Sequence, residues 1–161
     1  MDFGNNEGVC GHITMASQAA GETSLQTLLS TLTVILHPAT YVFLTLTNSQ
    51  DVTSLPIPFN DIIMSFRESE GLTLIVPLPI AVKQALDYQY RCRMITCNVH
   101  SSLEAVGFMA HIATKLAEKG ISVNPVSGYY HDHLFVPEDK AEQAVEILEG
   151  IREQAAAQRP T

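Results

Sequence analysis

Basic side chains are scarce in this chain: Lys and Arg number 9 against 17 Asp and Glu, giving a formal net charge of -8. A nucleic-acid binder gathers lysine and arginine on one face to neutralise phosphates. Here the few cations are scattered, so nucleic acid is excluded as a partner. Cysteine is also sparse. Cys10, Cys92 and Cys97 are odd in number and show no CxxC spacing, which argues against a disulfide framework and a zinc site and fits a reducing compartment. No apolar run approaches the ~18–20 residues that a membrane span needs. Residues 1–11 contain Asp2 and Glu7 and no apolar core, so they do not read as a secretory signal, and a cytoplasmic location is expected. Catalytic signatures are missing as well: there is no GxSxG elbow, no GxxxxGK[ST] loop and no GxGxxG turn. The expectation is a protein without catalytic residues or cofactor.

What is present is a globular pattern. Hydrophobic residues make up 46% of 161 positions, enough to bury a core as one ordinary domain or two very small ones. Residues 1–22 and 152–161 read as a disordered leader and tail. Between them, residues 24–32 predict a short helix with Leu25, Leu28, Leu29 and Leu32 on one face. A strand is predicted at 41–47, then a loop over 48–60, then a hairpin from 62–66 and 72–76 turned at Gly71. A helix at 79–86 and a strand at 91–99 follow. The longest predicted helix spans 103–119, with Leu103, Val106, Ala110, Ala113 and Ala117 along its stripe and Gly120 as its left-handed stop. Strands at 121–130 and 133–136 and an amphipathic helix at 138–151 complete the pattern.

An internal repeat links the halves. LTLIVPLPIAVKQAL and DHLFVPEDKAEQAVEIL each run from a strand ending in Val-Pro into a helix, with alanine four residues beyond the proline (Pro77 to Ala81, Pro137 to Ala141). Each hairpin is preceded by a strand, so each half follows the split βαβ order. The predicted division is 23–90 and 91–151, and both halves look one strand short, which makes a shared strand plausible.

The stretch ITCNVHSSLEAVGFMAHIATKLAEKGISVNPVSGYYHDHLFVPEDKAEQAVEILEG resembles the ACT domains that regulate aspartokinase and other amino-acid biosynthetic enzymes. With LQTLL, YVFLTLT and EGLTLIVPL, the chain is similar to small stand-alone tandem-ACT proteins and to the arginine-sensing ACT proteins. The resemblance implies an α+β fold of two ferredoxin-like βαββαβ halves, an antiparallel sheet with helices on one face. It also implies a regulatory role in binding an amino acid or small metabolite, with ligand held between units by the strand-to-helix loop and a neighbouring edge strand. Carried over by position, the ligand-binding candidates are Ser101, Ser102, Glu104, Val106, Gly107 and Phe108 on the loop and Ser122, Asn124 and Val126 on the following strand. The loop runs longer than in the regulatory enzymes and lacks their proline, and Ser122 stands where Asn is often found.

The residues support this reading independently. Backbone N–H groups at the helix start near Ser101 to Glu104 suit a carboxylate, Gly107 permits close approach, and Glu104 suits an amine. His100 closes the strand before the loop and joins the candidates. Pro125 fits only an edge strand or bulge. His131 and His133 at i and i+2 share a strand face, with Asp132 facing the other way; without a third ligand of clear spacing they read as a structural turn, not a metal site. Cys92 and Cys97 read as core thiols. The expected partners are a small-molecule amino acid, a regulated protein and a second copy in a homodimer, since exposed edge strands tend to pair. A ligand-free scaffold assembling through sheet edges is the alternative.

Overall fold

The computed structural model describes residues 21–47 and 57–158. The elements are α1 (Leu25–Ser30), β1 (Val34–Thr47), β2 (Met64–Arg67), β3 (Gly71–Pro77), α2 (Leu78–Lys83), β4 (Gln89–Cys97), α3 (Phe108–Ala117), β5 (Asn124–Ser127), β6 (Asp132–Pro137) and α4 (Ala141–Ala157). The strands form one antiparallel six-stranded sheet in the order β2-β3-β1-β4-β6-β5.

That order resolves the missing strands. The N-terminal trio β2-β3-β1 takes β4 as its fourth strand, and the C-terminal trio β5-β6-β4 takes β1 as its fourth. The two ferredoxin-like halves therefore own the central pair β1 and β4 jointly. The repeat read from Val-Pro is also seen: Pro77 caps α2, and Pro137 caps the short 3-10 turn Glu138–Lys140 that leads into α4.

Alternation along the strands divides the side chains. Ile95, Cys97, Leu134 and Val136 face α1, α3 and α4, while Val42, Leu44, Leu46, Leu74 and Val76 face Ala81 of α2. The opposite sheet face carries Tyr41, Ile75, Cys92, Met94 and Phe135, with the Tyr41 and Phe43 rings meeting Phe135 edge-on at 6.0 and 5.8 Å. Helix α1 is too short to persist alone. It is held because Leu28, Leu29 and Leu32 are buried in the C-terminal core, each contributing roughly 1.5–3 kcal/mol. Gln26 adds a hydrogen bond to the Ala155 carbonyl of α4 at 2.7 Å. A polar cluster joins β1, β4 and the turn after β6, where Glu138 accepts the Thr40 hydroxyl and pairs with Arg91 at 3.0 Å, and Arg93 donates to the His37 carbonyl at 2.9 Å.

Several sequence expectations need correction. Strand β1 begins at Val34, not at residue 41, because Pro38 falls where the β1–β4 register shifts between Leu36 and Thr40 and no ladder N–H is required. Helix α3 begins at Phe108, since Gly107 takes a left-handed φ of 91° that a continuous helix cannot contain. Its buried face is Phe108, Ile112 and Leu116; Leu103 and Val106 are exposed loop residues. Strand β5 covers only Asn124–Ser127. Helix α4 continues to Ala157, with Ala155 buried, so it enters the stretch read as a disordered tail. At the other end Gly21 and Glu22 are placed against residues 100–102, so the leader reading does not hold for those two residues. Residues 1–20, most of the predicted 48–60 loop and residues 159–161 lie outside the described residues.

Candidate functional site

Strand β4 ends at Cys97, and residues 98–107 carry the chain across the end of the sheet to α3. Glu22 braces this loop from outside: its N–H donates to the His100 carbonyl at 3.0 Å, and its carbonyl accepts the Ser102 N–H at 2.9 Å. The fit is close enough that a Cβ on Gly21 would lie 2.5 Å from the Ser102 nitrogen.

Behind the loop lies a cavity of about 160 Å³ bounded by Ser101, Ser102, Phe108, Met109, Ser127 and Asp132, among others. Drug-sized pockets run to roughly 300–1,000 Å³, so this one has room for a molecule of only a few heavy atoms. Asp132 is its main charged group. As the first residue of β6, paired with Cys97 on one side and Ser127 on the other, it points to the helix side and is only 7% exposed. Its carboxylate accepts the Ser127 hydroxyl, and more weakly the Ser101 hydroxyl at 3.5 Å. Burial first and Asp132 second push the Cys97 thiol up to about 12, and burial followed by Glu138 does the same to Cys92. Both thiols stay protonated core groups.

The helix-start amides sit at Phe108 to Ala110, several residues beyond the Ser101 to Glu104 stretch that the sequence suggests. Within the loop, Ser101 N–H is bonded to Val99 O, Ser102 N–H to Glu22 O and Glu104 N–H to the Ser102 hydroxyl. In α3 the first helical bond is His111 N–H to Gly107 O, so the amides of Phe108, Met109 and Ala110 have no partner within the helix. Gly107 supplies no side-chain cap for them.

Among the candidates named from sequence, Ser101, Ser102, Gly107 and Phe108 line the cavity. Glu104 and Val106 are exposed outside it, and His100 is exposed with its ring 5.8 Å from that of Tyr130. Ser122 and Asn124 are associated instead with the Tyr90 hydroxyl, which lies 3.3 Å from Ser122 Oγ. Val126 packs on the sheet face opposite the helices, against the Tyr41, Cys92 and Phe135 cluster. Strand β5, with Pro125, is an edge of the sheet. Asp132 and Ser127 were not among the sequence candidates; the available signal was the alternation that turns Asp132 away from its flanking histidines.

Those histidines bond within the protein. His131 Nδ1 lies 3.3 Å from the Val99 carbonyl, and the Thr96 hydroxyl sits between His133 Nδ1 at 2.9 Å and His37 Nε2 at 2.8 Å. Burial, then His131 and His37, hold the His133 imidazolium below its ordinary range, partly opposed by Asp132. Among the described residues no three His, Cys, Asp or Glu side chains converge to hold a metal. A larger hollow of about 520 Å³ lies by Leu44–Thr47 and residues 85–87, with Asp87 as its one charged wall residue. It lacks the helix amides and buried carboxylate of the first cavity. No helix among the described residues is long and apolar enough to cross a membrane.

Comparison with known proteins agrees with this architecture. Two ACT domain models match in tandem, over residues 20–93 and 87–150, overlapping in the first half of the shared strand β4. A Vibrio cholerae protein of unknown function, described as a possible transport protein, is 40% identical with a TM-score of 0.66, over 80% of this chain and 95% of that one. Similar folds occur in an Agrobacterium tumefaciens protein (15% identity, TM-score 0.62, 75% and 89% coverage). They occur too in a structure of aspartokinase alpha and beta subunits (14% identity, TM-score 0.53, 74% and 97% coverage). No curated protein matches the chain. The tandem matches, the shared sheet and the one-sided helices place this chain in the ACT domain family.

Proposed function

We propose that this chain is a cytoplasmic regulatory sensor, not an enzyme, whose C-terminal half reversibly binds an amino acid or similar small metabolite in the cavity behind residues 101–108. One observation carries the reading: a small cavity lined both by a buried carboxylate, Asp132, and by Phe108, Met109 and Ala110, the first-turn residues of α3 whose amides have no partner within the helix. The amides suit a ligand carboxylate, and the positive end of the helix dipole favours its charge. Ser101 and Ser102 supply hydroxyls, while Phe108 and Met109 supply apolar wall. A ligand touching the loop, α3 and β6 together favours the arrangement in which they are drawn in, and a partner protein reads that shift.

Calorimetric titration of the full chain with the standard L-amino acids tests this. At least one should bind at millimolar concentration or tighter; no binding by any of them refutes the reading.

A scaffold role has one observation in its favour. Among the described residues strand β2 is an edge of the sheet bearing exposed Phe66, 64% accessible, with Ile63 and Phe59 also exposed, the type of border through which a second copy pairs. Light scattering with and without amino acids separates the two readings. A scaffold keeps one assembly throughout, and a sensor changes its size distribution or shape.

A further inference from the structure

We infer that Asp132 is the counter-ion for a cationic group of the ligand, so that the cavity selects ammonium-bearing acids over their hydroxy analogues; this deepens, and rests on, the binding site proposed above. Asp132 is only 7% exposed, yet its partners are the hydroxyls of Ser127 and Ser101. Among the described residues its carboxylate joins none of the ion pairs, which involve Arg91, Arg93, Lys115 and Arg152 with glutamates. Residues 1–20 and 48–56 contain neither lysine nor arginine. A carboxylate taken from water is costly unless it is paired. Two hydroxyl donors, one of them at 3.5 Å, leave acceptor capacity on oxygens that can take about four hydrogen bonds.

The direction of that capacity fixes the ligand class. Asp132 borders the cavity together with Ser101 and Ser127, and α3 begins at the same cavity with Phe108, Met109 and Ala110. The space thus has an anionic wall and an amide wall, which match the ammonium and carboxylate of a zwitterion. Glu104, the acidic residue of the loop itself, stands exposed outside the cavity and cannot serve this purpose. A purely structural Asp132 bracing the β5–β6 turn through Ser127 would be indifferent to the ligand's charge.

The test is calorimetry on the full chain and on D132N. The probes are glycine against glycolate, alanine against lactate, serine against glycerate, and two amines lacking a carboxylate, ethanolamine and putrescine. Asparagine keeps an acceptor for Ser127 while removing the charge, and thermal melts report whether the variant folds. Amino acids should bind the parent at least about tenfold more tightly than their hydroxy partners, and D132N should erase that ratio. Equal affinity for the two series in the parent, or a ratio retained in D132N, overturns the inference while the sensor reading stands. Amines that bind alone and are lost in D132N sustain the inference and overturn the amino-acid reading. Silence from every probe overturns the inference, and silence from the whole standard amino-acid panel overturns the sensor reading with it. If D132N does not fold, the comparison in the parent decides.

Discussion

The same substitution at two glycines should move stability in opposite directions. Gly71 opens β3 opposite Thr47, and a Cβ there would stand 2.1 Å from the Leu46 carbonyl oxygen and 3.0 Å from its carbon. The obstacle is backbone in a paired strand, so relief requires β1 and β3 to part by roughly 1 Å before even a tight contact is reached. That loosens the Thr47/Gly71 and Leu46/Leu72 positions of the ladder, at about 0.5–1.5 kcal/mol per hydrogen bond, with overpacking strain of about 1–3 kcal/mol where separation is incomplete. Gly71→Ala should therefore cost about 2–4 kcal/mol in total. Gly150 lies inside α4 with nothing within 4 Å of its would-be Cβ, so Gly150→Ala should gain about 0.5–1 kcal/mol from helix propensity alone. Urea denaturation reads both. With slopes of about 1–3 kcal/mol/M, the first variant's midpoint falls by about 1 M or more and the second's rises. A Gly71→Ala protein within about 0.5 kcal/mol of the parent, or a Gly150→Ala protein less stable than the parent, would refute the steric reasoning.

Two further outcomes follow from the packing. Because the imidazolium form of His133 is disfavoured in the fold, the unfolded chain binds more protons between the lowered folded value and the unfolded value of about 6.5. That contribution to stability is complete above the unfolded value and is lost as pH falls through the window. The urea midpoint of the parent should drop on acidification, and His133→Gln should flatten part of the slope; an identical slope in both proteins counts against the assignment. A fragment of residues 87–150 lacks β1 and the α1 leucines that complete its core, so its circular dichroism should show no cooperative melt. A fragment that melts cooperatively as a monomer would contradict the shared-strand architecture.

The parts of the fold legible in the sequence were those where one chemical pattern dominates locally. The two Val-Pro junctions mark strand ends because proline lacks the N–H to continue a ladder and suits a helix start, and both lie where expected. The start of β1 was hidden by His37 and Pro38, which interrupt the β-branched and aromatic run until a register shift gives them a place. The start of α3 was misjudged because Leu103 and Val106 are apolar at helical spacing, while their burial depends on a loop path that local periodicity does not encode. For the candidate site, the place of Ser101, Ser102, Gly107 and Phe108 on a strand-to-helix loop was readable, and the structure puts them along a cavity. The place of Asp132 on the cavity wall was not, because it comes from pairing with Cys97 and Ser127 across strands. The sequence offered Glu104 as the acidic group, which is nearer on the loop but is exposed and does not line the cavity.

Common ownership of β1 and β4 limits how a message can leave the cavity. The repeats are joined through the sheet itself: β4 runs unbroken from Cys97 at the cavity to Gln89 beside Phe43 of the other repeat. Rocking one repeat against the other would tear this spine, so under the proposed sensor role a bound molecule is read at the periphery. The available routes are the α1, α3 and α4 layer, where Gln26 clasps Ala155, and the outer β5–β6 hairpin that carries Tyr129 and Tyr130 into solvent.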